Sequence, residues 1–191
     1  MAGSARYTAI LDANTLYPML VRDLLLSLAT AGLYHARWTA AIHDEWTRNL
    51  AKDRPEIAHH LPSVVAAMNR AVPDCIVEHY QPLIGCVALP DASDQHVVAA
   101  AIAGHADAIV TFNIKHFPPD ALSPHGIEVQ HPDDFVMNQL QLQELLAIQA
   151  IKRMRARWRN PQRSAAELID ALEKRGLPLT AACLKQAEAL I

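Results

Sequence analysis

The sequence predicts an α/β fold, three layers deep, with a central parallel sheet sandwiched by helices and followed by a helical C-terminal extension. Three observations predict it. Short apolar, β-prone runs alternate with helical patterns over the first two thirds of the chain, as in sheets built from βαβ units. An alanine-rich helical pattern, SDQHVVAAAIAGHAD, runs directly into the apolar strand pattern ADAIVTF. From residue 133 onward the pattern is helical only.

Taken in order, residues 7–11 (YTAIL) read as a first strand, which LDANTLYP breaks. MLVRDLLLSLATAG follows with helical spacing and stops at Gly32. Residues 34–38 form a second strand, and Thr39 is placed to cap the helix TAAIHDEWTRNLAK. Pro55 and Pro62 divide the next helical stretch, which runs to Ala71. Residues 75–89 begin as a short strand and turn irregular after Pro82. Asp91 or Ser93 caps the alanine-rich helix, residues 106–112 form the next strand, and residues 127–130 the last. Pro161 and Pro178 break the helical tail. The resulting division is residues 1–135 and residues 136–191, with no internal repeat.

The chain has 191 residues, 51% of them hydrophobic and 19% charged, enough to bury a real core. No window approaches the roughly 18 uninterrupted apolar residues of a membrane span, so a cytoplasmic protein with no membrane contact is expected. Cys75, Cys86 and Cys183 are odd in number and widely spaced, and read as small hydrophobes. The net charge of −3 is unevenly distributed. Residues 1–151 carry 8 Lys/Arg against 16 Asp/Glu, whereas residues 152–191 carry 9 against 4. Much of the tail's charge lies in IKRMRARWRNPQR, a run that suits a phosphate backbone or an acidic partner, or the solvated face of a terminal helix.

In an open parallel sheet the ligand site lies beyond the carboxyl ends of the strands. Asp12 closes the first strand and Asn113 closes the strand AIVTFN. Glu45 sits on the helix after the second strand, and Asp91 and Asp94 open the helix that leads to Asn113. Brought together, these carboxylates would repel one another and rise in pKa unless a cation held them. An oxygen-rich set of this kind points to Mg²⁺ or Mn²⁺ rather than zinc. Each residue also has an ordinary reading: Asp12 and Asp91 as helix caps, Glu45 as a solvated glutamate. No phosphate-binding glycine loop, nucleophile elbow or H-E-x-x-H pair is present.

ILDANTLYP, the glutamate of IHDEW, and PDASDQHVVAAAIAGHADAIVTFNIKHFP together resemble a PIN domain over roughly residues 6–135, in the branch of bacterial VapC-type toxins that carry a helical C-terminal extension. The resemblance implies a metal-dependent nuclease with Asp12, Glu45 and Asp94 organising the metal. A PIN domain commonly has a fourth acid where this chain has Asn113, and the further acid position of N-x-K-D-F is His116 here. Phosphodiester hydrolysis needs an activated water and positive charge opposite the phosphorane, which one or two Mg²⁺ ions supply. Asp12 and Asp94 would bind the ion, Glu45 a water or second ion, and Asn113 would orient a water. Asn14 and Thr111 are placed to hold the carboxylates. Arg48, Lys52, Arg54, Lys115 and His116 are candidates for contacting RNA.

The favoured reading is therefore an endoribonuclease toxin of a type II toxin–antitoxin pair, blocked by a cognate antitoxin over its acidic pocket. The rival is a PIN-fold module that binds nucleic acid or protein and has lost activity with the fourth acid. A phosphoacceptor receiver domain ranks below both, because the paired acids it needs after a first strand are missing. The apolar helix at residues 19–31 is a candidate homodimer surface, or else core.

Overall fold

A computed structural model of the protein describes residues 7–159 and 161–191. The chain divides into two compact units, residues 1–17 with 34–131, and residues 18–33 with 132–191.

The first unit contains a four-stranded, all-parallel sheet: β1 (Thr8–Leu11), β2 (His35–Arg37), β3 (Ala108–Val110) and β4 (Glu128–Gln130), in the order β2-β1-β3-β4. Ala9, Ile10 and Leu11 of β1 and all three residues of β3 are fully buried, and each large aliphatic side chain removed from water here contributes roughly 2 kcal/mol. The chain leaves β1 toward β2 on one side and reaches β3 on the other. The crevice between the carboxyl ends of β1 and β3 is thus the topological switch point, where such sheets bind ligands.

In this numbering α1 is the single turn Ala13–Leu16, α2 is Met19–Thr30 of the second unit, and α3 is Ala40–Asp53. Thr39 caps α3 as its position predicts, accepting from the Ile42 N–H. A 3-10 segment at Pro55–His60 and α4 (Leu61–Ala71) follow, so both prolines act as breaks. The strand expected from Cys75 shrinks to one parallel bridge, Trp38 to Ile76. α5 is Gln95–Ala103 and α6 the short Pro119–Leu122. The backbone between α5 and β3 passes so close to Val77 that a Cβ on Gly104 would meet it at 2.9 Å. The strands are shorter than the apolar runs suggest, with three residue pairs in each parallel register. Asn113 accordingly does not end a strand. β3 stops at Val110, and Asn113 opens a single 3-10 turn, Ile114–His116.

The second unit comprises α2, α7 (Pro132–Leu142), α8 (Glu144–Arg157), α9 (Ala165–Glu173) and α10 (Pro178–Gln186). Leu24, Leu25 and Leu28 of α2 are fully buried and α2 packs on α8. The face that the sequence offered for homodimerisation is therefore core. Asp133, on α7, accepts from the N–H groups of Leu179 and Thr180 and from the Thr180 hydroxyl at 2.6–2.8 Å. It satisfies the first turn of α10, which has no cap of its own. Ser164 and Glu167 form a capping box on α9. Much of the basic tail is also structural. Arg157 pairs with Asp23 at 2.6 Å, Arg155 donates to the carbonyls of Arg163 and Ile191, and Arg163 stacks over Trp158. No described helix is long and apolar enough to cross a membrane.

Candidate metal centre

Leu11 pairs with Val110, so the residues that follow them, Asp12 and Thr111, emerge side by side at the switch point. Asp12 is 4% exposed, and both of its carboxylate oxygens accept hydrogen bonds. Oδ1 accepts from the Ala13 N–H at 2.7 Å, and Oδ2 from the Asn14 amide and the Thr111 hydroxyl, both at 2.7 Å. The Asn14 amide also donates to Thr111, while its carbonyl oxygen accepts from the Phe112 N–H, and the Asn113 N–H donates to the Thr111 hydroxyl. Asn14 and Thr111 thus lock the rotamer of Asp12 and the path of the chain to Asn113.

None of these partners carries positive charge. Burial pushes the Asp12 carboxyl up to about 6 from 3.8; the Thr111 and Ala13 bonds oppose the rise, and the nearby charges of Glu45 and Asp94 add to it. The three acids therefore converge electrostatically at one place. Asp94 sits at the start of α5 but makes no capping bond with its side chain. Its Oδ2 lies 2.7 Å from His116 Nδ1, and Asp91, Asp94 and His116 bring ligand atoms within 4.8 Å of one another. Glu45 Oε2 lies 3.5 Å from His96 Nε2. Among the described residues no Lys or Arg forms an ion pair with Asp12, Glu45 or Asp94.

The backbone that carries Glu45 is anchored behind the site. Trp46 Nε1–H donates to His43 Nδ1, and His43 Nε2 lies 3.0 Å from the Asn69 oxygen, which also receives the Trp38 indole N–H. Such fixed tautomers hold an element in register more tightly than apolar packing alone. In front of it opens a cleft of about 450 Å³, lined by Asn14, Tyr17, Glu45, Asn49, Lys52, Asp53 and Asn113 among others.

The predicted residues separate as follows. Asp12, Asn14 and Thr111 are hydrogen-bonded to one another, the charges of Glu45 and Asp94 act on Asp12, and Asn14, Glu45 and Asn113 line the cleft, Asn113 being exposed. Asp91 accepts from the Ser93 N–H and hydroxyl, so it caps the 3-10 turn Ala92–Asp94 and not the alanine-rich helix α5, and it also belongs to the acidic cluster. His116, a candidate RNA contact from sequence, is bonded to Asp94. Lys52 lines the cleft, and Arg48 and Lys115 are exposed close by in sequence to Glu45 and Asn113. Arg54 is tied to Glu56 at 2.9 Å. Sequence reading missed Asn49, Asp53 and His96. The first two were legible, since positions 45, 49 and 53 follow helical spacing from Glu45; His96 carried no signal beyond its place two residues after Asp94.

The chemistry available here is that of a concentrated, oxygen-rich anionic centre with a neutral hydrogen-bonding shell, suited to a hard divalent cation. Comparisons with known proteins agree with the geometry. Residues 8–115 match the family model described as PIN domain, and residues 132–186 match the model described as VapC50 C-terminal domain. Over 79 residues the chain is 46% identical to the protein named "Putative ribonuclease VapC50" from Mycobacterium tuberculosis (strain ATCC 25618 / H37Rv). That alignment covers 41% of this chain and 47% of the relative, so the match spans about half of the relative's length. No solved structure gives a significant match. With the PIN-domain match covering more than half of the chain and the parallel sheet delivering its acids to the switch point, the chain belongs to the PIN-domain family.

Proposed function

We propose that the protein is an Mg²⁺- or Mn²⁺-dependent endoribonuclease that hydrolyses RNA phosphodiester bonds in the cytoplasm as the toxin of a type II toxin–antitoxin pair. One observation carries the reading: the buried carboxylate of Asp12 is held by neutral donors only, beside two further acids. A divalent cation compensates the burial and the neighbouring charges that raise Asp12, and the donor set fits it. Asp12 and Asp94 would hold the ion, with Glu45 completing the anionic wall. Bound there, the cation supplies an activated water and neutralises charge developing on the phosphoryl oxygens.

The chain's own residues do the rest. Asn14 and Thr111 keep Asp12 in one rotamer, and the Asn113 amide, at the cleft wall, offers a donor and an acceptor to a water or a phosphate. Lys52 inside the cleft, with Arg48 and Lys115 outside it, offsets the acidic body for an approaching RNA strand. A cognate antitoxin would block such a cleft most directly with a basic side chain aimed at the three acids. The relative's name supports ribonuclease activity, and the match to the C-terminal domain model of the same protein supports the toxin assignment.

The neutral Asn113 favours one alternative, a PIN-fold module that binds RNA or protein without cleaving. Incubating the purified protein with structured RNAs in Mg²⁺ or Mn²⁺, with chelator, and as Asp12→Ala separates the two. The nuclease reading expects cleavage in the first arm only, with a loss on the order of a thousandfold in the variant, matching several kcal/mol of transition-state stabilisation. Equal cleavage in all arms would sink it, and RNA binding without cleavage would favour the module.

A further inference from the structure

We propose that the groove between α7 and α10 is a docking site for a basic amphipathic helix of a protein partner, an interaction independent of RNA cleavage. The groove holds about 690 Å³. Its walls are positions 134, 137, 138 and 141 of α7 and positions 179, 182, 183 and 186 of α10. Both sets follow the spacing i, i+3, i+4, i+7 of a single helix face. Two such ridges with a furrow between them are the seat into which a third helix packs, over a length of about two turns, roughly 10 Å.

The apolar anchors are already at the surface. Leu179 in the wall is 52% exposed, and Leu142 and Leu145, beside the lining residues Gln141 and Glu144, are 75% and 76% exposed. Of the six large apolar side chains exposed among the described residues, Leu179 lines this groove, and Leu142 and Leu145 are chain neighbours of lining residues.

Charge selects the occupant. The helical unit carries 10 Lys/Arg against 8 Asp/Glu, yet the charged residues lining the groove are Asp134 and Glu144, both acids. Neither makes an ion pair with a described residue. An RNA strand would meet repulsion there. A second copy presenting the same groove would bring no basic side chain to these acids. A helix with leucines along one face and lysines at both ends satisfies every feature at once.

The test uses the 191-residue chain carrying Cys86→Ser, which leaves Cys183 in the groove as the reactive thiol because Cys75 is buried. The probe is a labelled leucine–lysine helical peptide, compared with a scrambled peptide of the same composition and with a leucine–glutamate version. We expect micromolar binding of the first, at least about tenfold weaker binding of the other two, and a similar loss with Leu179→Gln or with Asp134→Lys plus Glu144→Lys. Peptide binding should also slow alkylation of Cys183. Equal binding of the scrambled peptide, or unchanged alkylation, overturns the proposal. So does concentration-dependent self-protection of Cys183 without peptide, which would make the occupant a second copy, and so does stronger protection by an RNA oligonucleotide.

Discussion

The two units treat their carboxylates in opposite ways. In the helical unit five of the eight acids are tied into the fold's own caps and ion pairs: Asp133 closes the first turn of α10, Asp23 takes Arg157 and the Trp158 indole, Glu167 completes a capping box, and Asp170 and Glu173 pair with Lys174 and Lys185. In the sheet unit Asp12, Glu45 and Asp94 are gathered at a strand switch point and given only neutral donors and imidazoles. The first pattern stabilises a chain, whereas the second costs stability and is retained where a ligand compensates it. A count of acidic residues cannot distinguish the two; the identity of each acid's partner can.

The contrast can be broken most severely through pH. Because the folded state raises Asp12 from 3.8 to about 6, the folded protein holds a proton that the unfolded chain has already lost between those values. Stability of the metal-free protein should therefore fall as pH rises through that window, by about 3 kcal/mol for this group, and level off above about 6. The difference in urea unfolding free energy between the wild type and Asp12→Ala, followed from pH 4 to pH 7 in chelator, isolates the effect. A flat difference would mean that Asp12 is already compensated.

The opposite behaviour is expected of an acid in the helical unit. Asp133→Ala removes three hydrogen bonds and strands the Leu179 and Thr180 N–H groups, Thr180 being fully buried. A loss of about 3 kcal/mol in urea unfolding should result, with divalent-ion affinity unchanged. A smaller effect sharpens the comparison at Asn113. Asn113→Asp adds an anionic oxygen to the cleft wall and should tighten divalent-ion binding by up to about tenfold, seen as activity retained or raised at low metal. A large loss of activity would instead show that the amide donor is required.

Much of this was legible in the sequence where one local rule decided the outcome. Asp12 closes an apolar run, Thr39 stands before a helical pattern, and Asp94 opens an alanine-rich helix; strand ends and caps are properties of a few adjacent residues. What was not legible depends on distant partners. The spacing of α2 announces a buried face but not that α8 covers it. Nothing around Asp133 signals that it caps a helix 46 residues away, and nothing in the basic run of the tail signals that Asp23 and the Ile191 oxygen occupy two of its arginines, Arg157 and Arg155. The hydrogen bond between His116 and Asp94 was hidden for the same reason, since the two lie 22 residues apart in the chain.

The most direct test of the comparison is calorimetric titration of Mg²⁺ and Mn²⁺ into the purified protein at pH 7.5, beside Asp12→Ala and Asp133→Asn. The wild type and Asp133→Asn should bind a divalent ion with the same affinity, and Asp12→Ala should not bind it. Binding that survives Asp12→Ala, or no binding to the wild type, would contradict the assignment of the sheet unit's acids to a metal centre.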